Sequence, residues 1–299
     1  MLFNSSEFIF FFLPIVLLVF YLVGGIGHHR VAISWLVGSS LFFYGWWNPI
    51  YLSLIMGSIL FNYAAGVALS AERSGGTRKI ILALGIGANL GAIGYFKYYN
   101  FFIDSLNRMT SSGIEAETIL LPLAISFFTF QQIAYLVDAY EGQTREYNFL
   151  HYCLFVTFFP QLIAGPIVHH REMLPQFSSD TIYRFNQSAF VIGLTTFCLG
   201  LFKKVVIADG TATYATPVFD AAEAGEVLTF FEAWTGAIGY TIQLYFDFSG
   251  YSDMAIGLGM MFGIRLPLNF FSPYKAVNII DFWRRWHMTL SRFLRDYLY

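Results

Sequence analysis

Long apolar runs without Asp, Glu, Lys or Arg, broken by short polar connections, set the pattern of this chain. Crossing a hydrocarbon core of about 30 Å takes about 20 residues of helix at 1.5 Å per residue. The runs Phe8 to Ile26, Ile80 to Phe96, Ile119 to Val137, Phe149 to Val168 and Phe185 to Phe202 approach that length. A sixth run, Val31 to Ser70, is too long for one crossing, and Asn48-Pro49 divides it because proline disfavours helix at the residue before it. Trp46-Trp47 at the same place suits a membrane interface. The pattern predicts seven crossings by Phe202. The stretches Ala71 to Lys79, Lys97 to Thr118, Asp138 to Asn148 and His169 to Arg184 serve as connections, being rich in Gly, Ser, Asn or charge. Phe8 to Ile26 has no basic segment before it and no small-residue cleavage site after it, so it reads as an uncleaved helix.

Composition agrees with that pattern. Hydrophobic residues make up 57% and charged residues 12% of 299 residues, where a soluble domain carries about 25% charged. The expected fold class is all-α: a polytopic membrane helical bundle, a single domain over 1–299. Run lengths exclude closed β-barrels. With 17 basic and 19 acidic side chains the net charge is -2, so no basic excess points to nucleic acid. Lys and Arg in the loops favour an N-terminus outside, with Arg30, Arg73, Arg78, Lys79 and Arg145 inside against Lys97 and Arg108 outside. Cys153 and Cys198 lie in apolar runs without metal-ligand spacing and read as small buried hydrophobes. Gly87-x-x-x-Gly91 and Gly259-x-x-x-Gly263 are close-packing signals between helices.

From Ala233 onward polar groups interrupt the apolar pattern. Asp247 and Asp253 would cost about 6 kcal/mol together in a lipid-facing helix, at about 3 each, which predicts broken or re-entrant segments over 233–275. These aspartates read either as partners of Arg265, Lys275 or backbone amides, or as lining of a polar cavity. Pro267, Asn269 and Pro273 then delay a regular helix until about Ala276.

The last stretch, 277–299, reads as one amphipathic helix. Trp283, His287, Ser291, Leu294 and Leu298 would share a face, and Arg285, Arg292 and Arg295 another. Four arginines facing lipid would cost about 12 kcal/mol, which places the helix at an interface or in a protein-lined funnel. His287 titrates near neutrality and stands beside Arg284 and Arg285, cushioned by Trp283 and Trp286. On residue chemistry alone the cluster fits either lipid phosphates or an anionic ligand. His28-His29 and His169-His170 read as interfacial, and His151 as a packing residue.

Four segments carry a resemblance. Ser126 to Asp138 (SFFTFQQIAYLVD), Phe158 to Pro166 (FFPQLIAGP), Leu244 to Asp253 (LYFDFSGYSD) and Asp281 to Ser291 (DFWRRWHMTLS) are similar to motifs of the membrane-bound O-acyltransferase family, in matching order, and closest to its bacterial alginate O-acetylation branch. The resemblance implies an integral enzyme of the bacterial inner membrane, where the loop charges put the N-terminus on the periplasmic side. It would pass an acetyl group from cytoplasmic acetyl-CoA across the membrane for O-acetylation of an exopolysaccharide such as alginate. A periplasmic acetyltransferase and the polysaccharide machinery are the implied partners, besides membrane lipid and the acyl donor. No bound cofactor and no metal are implied. His287 is the implied catalytic residue, and Arg284, Arg285, Asp247, Asp253, Asn269 and Gln161 are substrate-binding candidates.

Phe127 to Gln132 and Phe158 to Gln161 are candidates for the lining of an enclosed acyl path, or ordinary helix packing. The family places a second histidine in a later apolar helix, and none of the other five histidines here matches it. The helical pattern reaches Tyr299 without a Gly or Pro stop, so the chain is expected to be the front part of the family's fold, which as it stands lacks half of the catalytic pair. Two other readings stay open: a transporter, from the many crossings and Asp247 and Asp253, and a non-catalytic subunit of a polysaccharide complex.

Overall fold

The computed structural model describes residues 1–71, 75–110, 113–114, 119–143 and 148–298. Arg73 and Arg145, used above for orientation, lie outside the described residues. The described residues are helical and contain no strand. They form α1 (Phe8–Gly25), α2 (His29–Gly45), α3 (Tyr51–Ser70), α4 (Gly75–Thr110), α5 (Ile125–Tyr140), α6 (Phe149–Thr157), α7 (His170–Phe177), α8 (Gln187–Glu223), α9 (Phe230–Met261), α10 (Ile279–Arg285) and α11 (Met288–Leu298). Two compact units emerge: Met1–Ala32 with Ala164–Ile167 and Ser179–Tyr299, and Ile33–Ile163 with Val168–Ser178.

By length and composition, α1, α3, α4 and α8 can cross a bilayer. The break at Asn48-Pro49 lies where proline chemistry puts it, with α2 ending at Gly45 and α3 starting at Tyr51. The other expected crossings differ. Helices α2 and α5 have 17 and 16 residues, at or below the short limit of a span. Phe149 to Val168 is not one helix: Phe158 leaves the helical conformation at φ −48°, ψ 104°, Pro160 sits in the first turn of a short helix, and the chain runs irregularly from Ile163 to His169. The expected connection after Lys97 is instead helical to Thr110, since nothing from Lys97 to Thr110 is Pro or Gly.

The second unit is held by polar side chains between helices. Asn62 of α3 and Asn89 of α4 exchange hydrogen bonds of 3.2 and 2.6 Å. Gln132 of α5 donates to Ser58 at 2.9 Å and accepts from Tyr152 at 3.2 Å. Gly66 leaves room for the ring of Tyr135. His169 and His170, expected at an interface, are both buried; His170 lies 3.0 Å from the Asp138 carboxylate, under Tyr135 and Phe155. The irregular segment before α7 carries them inward.

In the first unit α8 and α9 touch along their backbones. Gly193 and Gly200 of α8 meet Gly257 and Gly250 of α9, so the contact repeats every seven residues on both helices. The Gly-x-x-x-Gly expectation is corrected here: Gly87 and Gly91 have open space beside them, and Gly259 and Gly263 pack at the end of α9. Cys198 is exposed on α8 and not buried as expected, whereas Cys153 is buried. His29 stacks on Tyr183 at 4.0 Å and reaches Asp180 at 3.3 Å.

The break expected within 233–275 does not begin until Phe262. Thr229 and Glu232 form a capping box at the start of α9, which then runs unbroken to Met261. Its aspartates are accommodated by pairing: Asp247 lies 2.6 Å from Lys204, and Asp253 pairs with Lys203. Both lysines belong to α8, where a π-helical turn spans Lys203–Ala208. Lys204 also reaches Asp209 at 2.6 Å. The expected partners Arg265 and Lys275 are therefore replaced by groups from a neighbouring helix. Neutralisation removes the energetic reason for breaking the helix.

Candidate active site

Helix α9 stops in a way that sends the chain back along itself. Gly263 takes φ +73°, its N–H donates to Met260 at 3.0 Å, and Ile264 N–H donates to Gly259 at 2.8 Å. This paired 5→2 and 6→1 closure needs a residue at ease in the left-handed region, which glycine is. Residues 265–271 follow without helix. Asn278 then caps α10 by accepting from Asp281 N–H at 2.9 Å.

The helix expected over 277–299 is two helices. Trp286 is extended, His287 has φ +44°, and α11 starts at Met288. Tertiary hydrogen bonds hold the break open: Phe271 N–H donates to the Arg285 carbonyl at 2.9 Å, and Met288 N–H to the Asn269 carbonyl at 2.8 Å. Histidine, with Asn and Asp, is among the few residues other than glycine that visit this backbone region with any frequency. The face proposed for Trp283, His287 and Ser291 therefore does not form.

Around the imidazole the structure gathers a small, defined set. His287 Nδ1 is 2.9 Å from Asn269 Oδ1. The same oxygen accepts the Thr289 hydroxyl at 2.9 Å and the Thr289 backbone N–H at 3.4 Å. Asn269 Nδ2 donates to Ser252 Oγ of α9 at 3.2 Å, and Thr289 Oγ1 accepts from Ile167 N–H at 3.1 Å. Asn269, Ser252 and Thr289 are each at most 3% exposed. The rings beside the imidazole are Phe248, edge-on at 4.8 Å, and Phe270 at 6.2 Å. They replace the expected tryptophans: Trp286 packs with Tyr245, Phe270 and Phe282, while Trp283 is exposed.

This geometry assigns the proton on the ring. A backbone N–H can only donate, so the atom facing Thr289 N–H is the Asn269 oxygen, and His287 Nδ1 must donate to it. Nε2 then carries the lone pair. His287 lies outside the candidate spans, and burial pushes its pKa down to about 4 from the ordinary 6.5. The ring is neutral at physiological pH, with its basic nitrogen on the side away from Asn269. A neutral imidazole so oriented can take a proton from an attacking hydroxyl.

Of the remaining candidates Asn269 alone is bonded to His287 among the described residues. Arg285 holds Asp281 with 3.0 Å contacts to both oxygens and lies over the Phe271 ring at 5.5 Å, which fixes α10. Arg284 is exposed on the same helix. Asp247 and Asp253 are engaged by lysines as described. Asn269 is buried, with its amide nitrogen bonded to Ser252 and its oxygen to His287. Gln161 lies in the second unit, where its buried amide donates to the Phe155 carbonyl at 2.7 Å. Sequence reasoning missed Ser252 and Thr289; the one available signal was a hydroxyl residue two positions after the histidine. It also missed Lys203 and Lys204, whose partners in α9 lie 50 and 43 residues away.

Residues 139–299 match the profile of the membrane-bound O-acyltransferase (MBOAT) family. The whole chain is 48% identical to a peptidoglycan O-acetyltransferase of Helicobacter pylori, covering 61% of it. It is 45% identical to a probable alginate O-acetylase of Pseudomonas putida, again covering 61% of that protein. A teichoic acid D-alanyltransferase of Bacillus subtilis is 32% identical over 59% of this chain and 44% of its own length. The chain thus spans about three fifths of the length of the first two relatives.

Proposed function

The chain belongs to the membrane-bound O-acyltransferase family, and on that premise we propose that it works in O-acetylation of a cell-envelope polysaccharide. The donor is a cytoplasmic thioester, acetyl-CoA, and the acceptor is an extracytoplasmic sugar polymer of the alginate or peptidoglycan kind. The protein sits in the bacterial inner membrane with its N-terminus outside and hands the acyl group to a periplasmic acetyltransferase. The observation that carries this reading is the neutral His287, held by one nitrogen and flanked by Phe248 and Phe270.

A hydroxyl presented by the periplasmic acetyltransferase attacks the thioester carbonyl, His287 Nε2 takes the hydroxyl proton, a C–O bond forms and the C–S bond breaks, and the partner then passes the acyl group to the sugar polymer. The departing thiolate then recovers the proton from the imidazole. Aromatic rings around the ring exclude water, which competes for a thioester. Arg284, exposed beside this site, supplies positive charge for donor phosphates. The carboxylates that suggested transport, Asp247 and Asp253, have a structural account in Lys204 and Lys203.

The test is the base-labile acetate of envelope polysaccharide in cells with and without the gene. Deletion is expected to remove it and the full-length gene to restore it; unchanged acetate in the deletion strain contradicts the reading. A second expectation concerns pH. A base with pKa about 4 stays unprotonated from neutrality down to about pH 5. The acidic limb of kcat/KM should therefore fall well below pH 6.5, and a midpoint at 6.5 would exclude a buried His287 as the base. Because the folded pKa lies below the unfolded one, stability contributed by this group is full above pH 6.5 and lost as pH falls toward 4.

A further inference from the structure

The geometry assigns Asn269 as the positioning residue of the site: its side-chain oxygen fixes the tautomer and the direction of the His287 ring. The assignment rests on the reading of His287 as the base. Three features carry it. The Asn269 oxygen is the meeting point of donors from His287 and Thr289, at 2.9 Å each for the ring and the hydroxyl. Its amide nitrogen is tied to Ser252 of α9, so the amide cannot flip without putting N–H against N–H at Thr289. Its own backbone carbonyl takes Met288 N–H, which holds the break where His287 sits.

One residue thus anchors both the backbone and the ring of the histidine. It joins the end of α9 to the start of α11. A free imidazole samples both tautomers and rotates about its side-chain bonds; here Nδ1–H has a single acceptor and Nε2 is left for chemistry. Wrong-tautomer and wrong-orientation effects in imidazole bases are large, because the proton then stands on the atom that should accept one.

The test uses the full-length protein in detergent or membranes, with histidine labelled by 15N and the His287 signal identified by its absence in His287→Ala. The wild type is expected to show protonated Nδ1 and bare Nε2 at neutral pH. Asn269→Ala should release the lock, shifting His287 toward the Nε2–H form, and lower kcat about 10- to 100-fold with KM within about twofold, using acetyl-CoA as donor. Asn269→Asp keeps an acceptor for Nδ1–H and for both Thr289 donors, so it should retain the Nδ1–H tautomer and recover most of kcat.

A purely structural asparagine would show no rescue by aspartate and no tautomer change. If His287 keeps its Nδ1–H form in Asn269→Ala with kcat unchanged, the assignment is overturned. If Asn269→Ala does not fold, the aspartate variant decides by its tautomer alone. A fully active His287→Ala overturns the catalytic reading instead, while the ring spectra still report on what Asn269 does.

Discussion

Replacing His287 with alanine is expected to lower acetyl transfer by about 10²- to 10⁴-fold while leaving the protein folded in the membrane. The size follows from general-base catalysis by a positioned imidazole. The fold should survive because the ring makes one side-chain hydrogen bond, and the Asn269 oxygen keeps the Thr289 hydroxyl when it is gone. Alanine does meet a backbone cost of about 1–2 kcal/mol at φ +44°. His287→Asn separates the two effects, since asparagine accepts the left-handed region with less strain. Both variants should lose activity, and only alanine should lose measurable stability. Transfer within about threefold of wild type in the asparagine variant would remove His287 from the chemistry.

The second large effect is expected at the crossing of α8 and α9, and it is one of stability. A methyl group on Gly257 would stand 2.5 Å from the Gly193 carbonyl oxygen and 2.6 Å from Phe197 N. One on Gly200 would stand 2.6 Å from both the Gly250 carbonyl oxygen and Met254 N. These are backbone atoms, with no rotamer change to relieve the clash. The helices must separate, and the loss falls on the whole contact, including the Lys203–Asp253 and Lys204–Asp247 pairs beside it.

Gly257→Ala and Gly200→Ala should each cost about 3 kcal/mol or more, at the upper end of overpacking effects. Gly87→Ala and Gly91→Ala, with nothing within 4 Å of the added methyl, should be neutral or stabilise α4 by up to about 1 kcal/mol. Thermal unfolding of the detergent-solubilised variants reads both. Equal melting of Gly257→Ala and Gly91→Ala would contradict the backbone contact.

What was legible in advance follows the range of the interactions. Apolar runs and Asn48-Pro49 act locally, and the helices near them were foreseen. His287 was legible by its setting in Asp281 to Ser291. The break that holds it was not, because helical periodicity continues through the motif and only the remote Asn269 and Phe271 backbone groups override it. The continuity of α9 is hidden for a related reason. Two aspartates in an apolar run are costly until lysines in α8 are brought against them, and sequence spacing gives no sign of that pairing. The Gly193, Gly200, Gly250 and Gly257 contact repeats every seven residues, so a spacing of four gives no sign of it. Ser252 and Thr289 escaped because a buried hydroxyl has no distinctive neighbour until the fold supplies one.

The central claim is acyl transfer from a thioester on one side of the membrane to a hydroxyl on the other. It is tested most directly in inside-out membrane vesicles that contain the full-length protein, its periplasmic acetyltransferase and enclosed polysaccharide, given acetyl-CoA labelled in the acetyl group. The account predicts base-labile label on the enclosed polysaccharide, dependent on the protein and lost in His287→Asn. Label that remains on CoA, or that reaches the polymer equally in vesicles lacking the protein, would contradict it.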